Sequence, residues 1–382
     1  MMTDNIVIAG IGQTTVGEHW QFSIRELAHF ALEAAIKDAG GLRPQALFVG
    51  NMLAPNLSRQ AHLGALIADF SGLIGIEAVS IEAAGASGGA ALRQGYLAVK
   101  SGMIDVVLVV GVEKFTDLVD SGVEDALATA IDSDFEAVQG LTPTSQAAML
   151  MRRYLHEYNL PADALAGFPV TAHANAVDNP NAMFQRAIKT STYARAGMVS
   201  EPLNMFDAAP PADGAAAIVL TRSELLPANY HHRLVRVSGS ASASDMLTLH
   251  DRRDLLSFDA ARRSVDSVLQ KAGATREEIS FFEYHDAYSI YAALSLEAAG
   301  FAEKGKGWEL ARDGEIAENG SIPCAIAGGL KARGFPGGAT GVYQAVEAAS
   351  KLRDTREAEQ IALIQSLGGP ASTAVTHVLT AI

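Results

Sequence analysis

The residues of this sequence best suited to chemistry lie at two glycine-rich turns and at one strand end. The turn GASGG at 85–89 has neither the spacing of a dinucleotide fingerprint nor the Lys-Ser/Thr of a P-loop. It suits a sharp strand-to-helix turn whose backbone amides can face a negative charge. The turn GGLKARGFPGGATG at 328–341 lets the backbone approach a ligand closely. EYHDAYSI at 283–290 ends a strand with His285 and Asp286, and a lone histidine there is more often structural than catalytic.

Cys324 is the single cysteine, so it is the one thiol that could act as a nucleophile. One cysteine excludes an intramolecular disulfide and any cysteine-based zinc cluster, and it fits a reducing compartment. Cys324 can be interpreted as a displaced nucleophile or as a small buried strand residue. Since no base or helix N-terminus is identified beside it, we expect it to be buried and inert.

The composition favours a well-packed globular protein with an acidic surface. Of its 382 residues 49% are hydrophobic and 19% charged, and its net charge is −14. Such a chain is a poor general binder of nucleic acids or anionic membranes, so a polyanionic ligand needs a local basic pocket. We find neither a secretory signal at the N-terminus nor an apolar run of roughly 18 residues. We therefore expect a cytoplasmic protein without a membrane span, and no metal site.

Short β-branched runs alternate with longer amphipathic stretches, which predicts an α/β protein. The predicted strands are Asn5–Ala9, Ala46–Gly50, Ala78–Glu82, Val106–Val112, Ala215–Thr221, Leu234–Gly239, Ile279–Tyr284, Gln360–Gln365 and Ala374–Leu379. The predicted helices are Ile24–Asp38, Gln60–Phe70, Gly88–Lys100, Ser145–Tyr158, Asp163–Ala174, Leu256–Lys271, Tyr288–Ala299 and Ala339–Lys351. The spacing of their apolar residues puts one face of each helix against a sheet.

An internal sequence similarity indicates two related halves. GASGGAALRQGYLAVKSG followed by DVVLVVGVEK is similar to GGATGVYQAVEAASKL followed by EQIALIQSLGG. A linker-like segment at 223–232 places the boundary between residues 1–228 and 229–382. The alternation is interrupted at about 116–205, and this insertion is either a lid or binding loop or a subunit-contact arm.

Seven segments in order resemble the thiolase superfamily, in particular its archaeal and sterol-carrier-protein types. They are EAAGASGGAALR (82–93), GLTPTSQAAMLMRRYLHEY (140–158), HANAVDNPNAMF (173–184), PLNMFDAAPPADGAAAIVL (202–220), EYHDAYSI, GGLKARGFPGGATG and SLGGPAST (366–373). The resemblance implies two βαβαβαββ halves in five α-β-α-β-α layers, with a loop domain inserted in the first half. This implied fold agrees with the internal similarity and with the insertion at about 116–205.

The departures from the family pattern fall on the residues that carry its chemistry. Gly85 stands where the family has its nucleophilic cysteine, and Phe335 where it has the histidine that activates that cysteine. Ala325-Ile326-Ala327 replaces the family's Asn-Pro-Ser, and Ser366 replaces a second cysteine. His285 of the His-Asp-Ala motif is retained. A ping-pong thiolase needs a nucleophile and a base within reach of each other, so this pattern predicts a protein without an acyl-cysteine intermediate.

The resemblance also implies which groups remain able to act on a thioester. Backbone N–H groups of Gly85 and Gly368 would form an oxyanion hole, worth on the order of 3 kcal/mol for each donor. His285 could donate a hydrogen bond to the same enolate oxygen or hold a water. Candidates for proton transfer are Tyr284, Asp286 and Tyr288. The alternative for Tyr288 is an aromatic residue packed on the sheet at a helix start.

Three functions compete at this point. The first is an enzyme that binds an acyl-CoA, stabilises the thioester enolate and makes or breaks the adjacent carbon–carbon bond, as in a retro-aldol cleavage. Cysteine-less relatives in steroid side-chain breakdown work in this way, typically with a small OB-fold partner. The second is a non-catalytic acyl-CoA binder or structural partner of an active thiolase-like subunit. The third is an acyltransferase with a displaced nucleophile such as Cys324.

The ligand and the assembly follow from the same resemblance. A coenzyme A thioester would be the substrate, with no permanently bound cofactor. The inserted segment offers Arg186, Lys189 and Arg195 for its phosphates, although each could equally be a solvated surface charge. We expect a homodimer or a dimer of dimers, paired through Val106–Val112 or its neighbours.

Overall fold

The computed structural model describes residues 5–119, 121–355 and 359–382. Its strands are β1 Ile6–Gln13, β2 Ala46–Gly50, β3 Glu77–Ile81, β4 Val106–Glu113, β5 Met198–Ser200, β6 Leu203–Asn204, β7 Gly214–Arg222, β8 Val235–Ser244, β9 Phe281–Glu283, β10 Ile361–Gly368 and β11 Thr373–Ala381. Its helices are α1 Ile24–Asp38, α2 Ala54–Leu57, α3 Leu63–Phe70, α4 Ser87–Lys100, α5 Ser121–Ala128, α6 Pro143–Glu157, α7 Gly167–Asn175, α8 Thr190–Tyr193, α9 Asp259–Ala272, α10 Ser289–Ala299, α11 Gly307–Arg312, α12 Gly329–Arg333 and α13 Thr340–Asp354. Within these residues, no helix has the length and apolarity needed to span a bilayer.

Nine strands form one mixed sheet with the order β3-β2-β4-β7-β1-β8-β11-β10-β9. The first five belong to the N-terminal part of the chain and the last four to the C-terminal part. The two groups meet where β1 and β8 pair at Val7 and Arg236. Beyond β9 the chain at Cys324 takes a tenth position at the edge of the sheet, because Cys324 forms an isolated parallel β-bridge with Phe282. Counted outward from the junction, each group places its own strands in the same order: the first, fifth, fourth, second and third along the chain.

Helices α4 and α13 form the central layer between the two groups of strands. Both helices pack against strands of both groups and against each other, whereas α1 and α3 cover one outer face and α9 and α10 the other. Small residues allow this contact: a Cβ built on Gly88 would lie 2.8 Å from the carbonyl oxygen of Gly338. The predicted α/β fold of two alike, layered halves is confirmed.

Subunit pairing through Val106–Val112 or its neighbours stays a prediction, but Val106–Val112 itself lies inside the sheet. That strand, β4, is hydrogen-bonded to β2 on one side and to β7 on the other, and all its residues are buried. It has no free edge to offer a second chain. The first group of strands instead ends at β3, which pairs only with β2 among the described residues.

The predicted insertion lies between β4 and β7. It contains the helices α5 to α8 and the short hairpin of β5 and β6. It packs on the second half of the molecule, where α6 contacts α10 and α7 contacts α11 and α12. Its last residues lead to Pro210–Ala212, which pair with Phe335.

Candidate functional site

The turn before α4 brings Gly85 next to His285 and the end of β10. Residues Ala84–Ala86 form one turn of 3₁₀ helix that leads into α4. A Cβ built on Gly85 would lie 3.2 Å from Cε1 and 3.4 Å from Nε2 of His285. It would also lie 2.7 Å from the carbonyl oxygen of Leu367. Residues about 200 and 280 positions away in the sequence thus converge on Gly85, as the resemblance implied.

Gly368 lies on the other side of the same turn. A Cβ on Gly368 would lie only 2.3 Å from the carbonyl oxygen of Ala83, so glycine is required there. Among the described residues, the N–H of Gly85 has no hydrogen-bond partner. The turn therefore presents at least one unpaired backbone donor beside His285.

His285 is a buried, neutral imidazole. Its side chain is 3% exposed, and its Nδ1 atom has no partner in the described part of the chain. Burial, with a smaller contribution from the positive charge of Arg333, lowers the pKa of His285 to about 3. At neutral pH the ring can donate one hydrogen bond and accept another, but it is a weak base.

Phe335 packs against this imidazole. The two rings meet edge to face, with 5.7 Å between their centroids. The ring of Phe115, at the end of β4, lies on Phe335 at 6.4 Å. The position of the family base is thus filled by an apolar ring that helps to keep water from His285.

Asp286 and Tyr288 have partners of their own. The carboxylate of Asp286 accepts hydrogen bonds from the backbone N–H groups of Leu330 (2.7 Å) and Lys331 (3.3 Å), so it caps α12. The Tyr288 hydroxyl lies 3.1 Å from Thr144 Oγ1, and its ring packs on a neighbouring tyrosine. Burial raises the pKa of both groups. Tyr288 is therefore a protonated phenol at neutral pH and cannot act as a base without a proton relay.

The turn before α13 is the counterpart of the Gly85 turn in the other half. Gly337–Ala339 forms the same single 3₁₀ turn, and it packs at the end of β4 as the Gly85 turn packs at the end of β10. Here the N–H of Gly338 donates to Glu113 Oε2 at 2.9 Å. The sequence analysis missed Glu113; its signal was a lone acidic residue directly after the apolar run Val106–Val112.

The remaining polar residues of the family pattern do not supply a nucleophile near Gly85. Cys324 is completely buried, and its thiol donates to the carbonyl oxygen of Ile322 at 3.2 Å. Burial, reinforced by the charges of Glu283 and Asp286, raises the pKa of this thiol. The Ser366 hydroxyl is buried against α4, where a Cβ on Gly89 would lie 2.3 Å from it.

Arg186, Lys189 and Arg195 lie exposed on the surface of the insertion. Among the described residues none of the three forms an ion pair, and Arg195 donates only to the carbonyl oxygen of Ser191. The segment that carries Arg186 is joined to α12, since the N–H of Phe184 donates to Ala332. All three cations are therefore free to contact a ligand, but the structure does not bring them together with His285.

Comparison with known proteins identifies relatives across the whole chain. The model described as "Thiolase, N-terminal domain" matches residues 6–224, and "Thiolase C-terminal domain-like" matches 241–381. An acetyl-CoA acetyltransferase of Methanothermobacter thermautotrophicus is 40% identical, over 98% of this chain and 99% of its own. A 17-hydroxy-3-oxo-4-pregnene-20-carboxyl-CoA lyase of Mycobacterium tuberculosis is 26% identical, over 93% of each chain. A solved structure described as "Ltp2-ChsH2(DUF35) aldolase" has a TM-score of 0.85 at 23% identity, over 99% of this chain and 98% of that one.

Proposed function

Because the chain belongs to the thiolase family, we propose that it binds a coenzyme A thioester and makes or breaks a carbon–carbon bond without an acyl-cysteine intermediate. The observation that carries this proposal is the convergence on Gly85 of a neutral imidazole and an unpaired backbone N–H, in place of a thiol. Thiolases of the ordinary type need a thiolate there. The chain's one thiol is buried with a raised pKa, which opposes a displaced nucleophile.

The second half of the molecule offers a physical precedent for an anion at the Gly85 turn. At the equivalent turn, the N–H of Gly338 binds the carboxylate of Glu113. Gly368 occupies the last position of β10, as Glu113 does of β4, and it carries no side chain. The end of β10 therefore supplies no side chain to the N–H of Gly85, whereas the end of β4 supplies the Glu113 carboxyl group to the N–H of Gly338. An enolate oxygen of a thioester has the charge to accept from the N–H of Gly85 instead.

The reaction that fits these groups is a retro-aldol cleavage of a β-hydroxyacyl-CoA, or its reverse. The hydroxyl gives its proton to a water molecule, which later returns a proton to the enolate. The bond between the α and β carbons breaks, and its electron pair moves onto the thioester oxygen. The N–H of Gly85 and the N–H of His285 stabilise this oxygen, with Gly368 as the second backbone donor. A carbonyl compound leaves, and the enolate is protonated at its α carbon to give the shorter acyl-CoA. Tyr288, bonded to Thr144, is the candidate relay for the hydroxyl proton.

The relatives support both this chemistry and its alternatives. The Mycobacterium tuberculosis relative is named as a lyase of a CoA thioester, which favours bond cleavage. The archaeal relative is named as an acetyltransferase, which favours acyl transfer. For the ligand, we propose that Arg186, Lys189 and Arg195 contact the phosphates of coenzyme A. For the assembly, we propose a homodimer that also binds a small OB-fold protein.

A turnover screen tests the proposed reaction. The purified chain, alone and with a candidate OB-fold partner, is incubated with β-hydroxyacyl-CoAs, and shorter acyl-CoA and carbonyl products are measured by mass spectrometry. We expect both products in equal amounts, with no mass added to the protein. Tight binding without turnover would favour the non-catalytic binder. A covalent acyl adduct on Cys324 would favour the acyltransferase.

A further inference from the structure

The strand end that carries Glu113 holds a completely buried carboxylate with four hydrogen-bond donors around it. Its Oε1 accepts from the Asn51 amide at 2.8 Å and from the N–H of Leu53 at 3.1 Å. Its Oε2 accepts from the N–H of Met52 at 3.0 Å and from the N–H of Gly338 at 2.9 Å. Among the described residues no cation forms an ion pair with this carboxylate. The four neutral donors offset part of the cost of burying this charge, but burial still raises the pKa of Glu113 to about 7.

The fourth donor connects this carboxylate to the candidate site. Gly338 belongs to the other half of the chain, and its turn follows directly on Phe335 and Pro336. The approach is so close that a Cβ on Gly337, which has φ = +44°, would lie 2.9 Å from both Cγ and Oε2 of Glu113. Glycine is required there, because any other residue would push the turn away from the carboxylate.

Phe335 is held on its other side by the chain that enters β7. Its N–H donates to the carbonyl oxygen of Pro210 at 2.9 Å, and its own carbonyl accepts from Ala212 at 3.0 Å. Phe115, two residues after Glu113, lies against the Phe335 ring. The end of β4 thus contacts the loop at two points, once through the ring and once through the carboxylate.

We infer that Glu113 is a positioning residue: its carboxyl group accepts the hydrogen bond that fixes the Gly338 turn and so keeps Phe335 on the ring of His285. The inference rests on the proposed function only for its effect on turnover. The structural part of the inference is that Glu113 keeps water away from His285 and the ring neutral. This part does not depend on the proposed function. No substrate contact of Glu113 is involved.

The variant Glu113→Gln separates this role from simple packing. Glutamine has nearly the same volume, but one of its two ends is an NH₂ group that donates and cannot accept. Two of the four donors then face an NH₂ group instead of an oxygen, so the residue no longer holds both the 51–53 segment and the Gly338 turn. The matched control is Val265→Ala on α9, which removes buried volume on the far side of the second half without touching this loop.

Nitrogen-15 NMR of the histidine rings reads the result without any turnover. The signal of His285 is assigned with His285→Gln, and its pKa is measured in the parent protein and both variants. We expect Glu113→Gln to raise the pKa of His285 by at least about one unit, a tenfold gain in proton affinity, because water reaches the ring. Val265→Ala should leave it unchanged. An unchanged His285 in Glu113→Gln, or an equal rise in Val265→Ala, would overturn the inference.

Chemical rescue provides a second test if the glutamine variant does not fold. Glu113→Ala leaves a cavity lined by the four donors, and acetate has the size and charge to enter it. Sodium acetate should raise the thermal midpoint of this variant by several degrees more than sodium chloride does, and should not do so for Val265→Ala. If the alanine variant is unfolded without acetate, recovery of its circular dichroism on adding acetate is the same positive result. An equal response to both salts would contradict a built anion site.

These readouts distinguish the inference from the proposed function. If Glu113→Gln changes the His285 pKa but no β-hydroxyacyl-CoA is cleaved by the parent protein, the proposed reaction fails and the positioning role stands. If the parent protein cleaves its substrate and Glu113→Gln keeps both the His285 pKa and the rate, the positioning role fails instead.

Discussion

His285 is a histidine whose environment removes its usual acid–base behaviour. With a pKa of about 3, it stays neutral throughout the physiological range. Its value to the site is therefore its N–H group, which can be aimed at a ligand oxygen, and not its ability to take up a proton. Phe335, which the resemblance places where the family has a polar ring, packs its apolar ring on this imidazole.

Substitution of His285 tests this donor role. We expect His285→Ala to lower the rate of bond cleavage by about 10²–10³-fold, the usual loss of one oxyanion donor. His285→Gln keeps an N–H donor and should recover part of that loss. The rate of the parent protein should show no ionisation of His285 above about pH 4, since its folded pKa is about 3. A dependence on a group of pKa near 6.5 that disappears in His285→Gln would contradict this.

Gly85 gives a second prediction, on the proposed lack of an acyl-cysteine intermediate. Gly85→Cys alone should be acylated little by acetyl-CoA, because the neighbouring His285, with a pKa of about 3, is too weak a base to ionise the new thiol. The new Cβ must also displace the Leu367 carbonyl oxygen, 2.7 Å away. Gly85→Cys combined with Phe335→His should give a detectable acyl-enzyme by intact-mass spectrometry. Rapid acylation of the single variant would show that Phe335 is not what prevents the reaction.

At the scale of elements, the crossing of α4 and α13 is the contact most sensitive to size. A Cβ on Gly341 would lie 2.2 Å from the backbone nitrogen of Gly89. We expect Gly341→Ala to lower the free energy of unfolding by about 3 kcal/mol or more, since neither helix can retreat from the sheets that enclose it. Gly122→Ala on α5 is the control: its Cβ would meet nothing closer than 3.4 Å, and the gain in helix propensity is up to about 1 kcal/mol. Urea denaturation measures both.

Helices could be predicted well from the sequence where apolar residues recur with a clear helical period. Helix α1 has the predicted bounds, and α4 begins one residue before its predicted start. Helix α12 was missed because it lies inside a glycine-rich loop, between residues with positive φ at Gly328 and Gly334. The local sequence predicts an irregular segment there, and the cap by Asp286, more than 40 residues earlier, is not visible in it.

The site itself could be predicted only as far as the resemblance extends. His285 and Gly85 converge as implied, because matched motifs carry their relative positions with them. Cys324 is buried, as expected for a lone cysteine in a strand-like segment. Glu113 was missed because an acidic residue after a strand ordinarily faces water, and its four donors come from two distant segments, residues 51–53 and Gly338. Pairing of that kind has no local sequence signal.

At the scale of the whole molecule, buried carboxyl groups couple stability to pH. Glu347 lies 2.9 Å from Arg333, yet burial raises the pKa of Glu347 from 4.5 to about 7. The folded protein holds this proton more tightly than the unfolded chain. The resulting stabilisation is complete below about pH 4.5 and is lost as the pH rises to about 7, a change on the order of 3 kcal/mol.

The variant Glu347→Gln isolates this contribution. Its free energy of unfolding, measured in urea at several pH values from about 4.5 to 7.5, should gain relative to the parent protein as the pH rises. The gain should approach about 3 kcal/mol over this range. Val265→Ala should instead run parallel to the parent protein. A parallel curve for Glu347→Gln would show that Glu347 is already ionised in the folded state at low pH.

The free edge of β3 gives the prediction for assembly. Val79 in this strand is 42% exposed, and strand edges of this kind readily pair with another chain. We expect light scattering to give twice the chain mass of 40.1 kDa. Val79→Lys should yield monomers, whereas Met103→Lys, at an exposed turn away from this strand, should not. A dimer that survives Val79→Lys would place the interface elsewhere.

The exchange of turns between the halves has a consequence for how the site arose. The turn before α4 packs on β10, and the turn before α13 packs on β4, so each half completes its turn with a strand of the other. A single-half ancestor could have built such a turn only by associating with a second copy of itself, and it would then have had two identical turns. Within one chain the two turns need not be identical, and they are not: the N–H of Gly338 binds Glu113, whereas the N–H of Gly85 has no partner among the described residues.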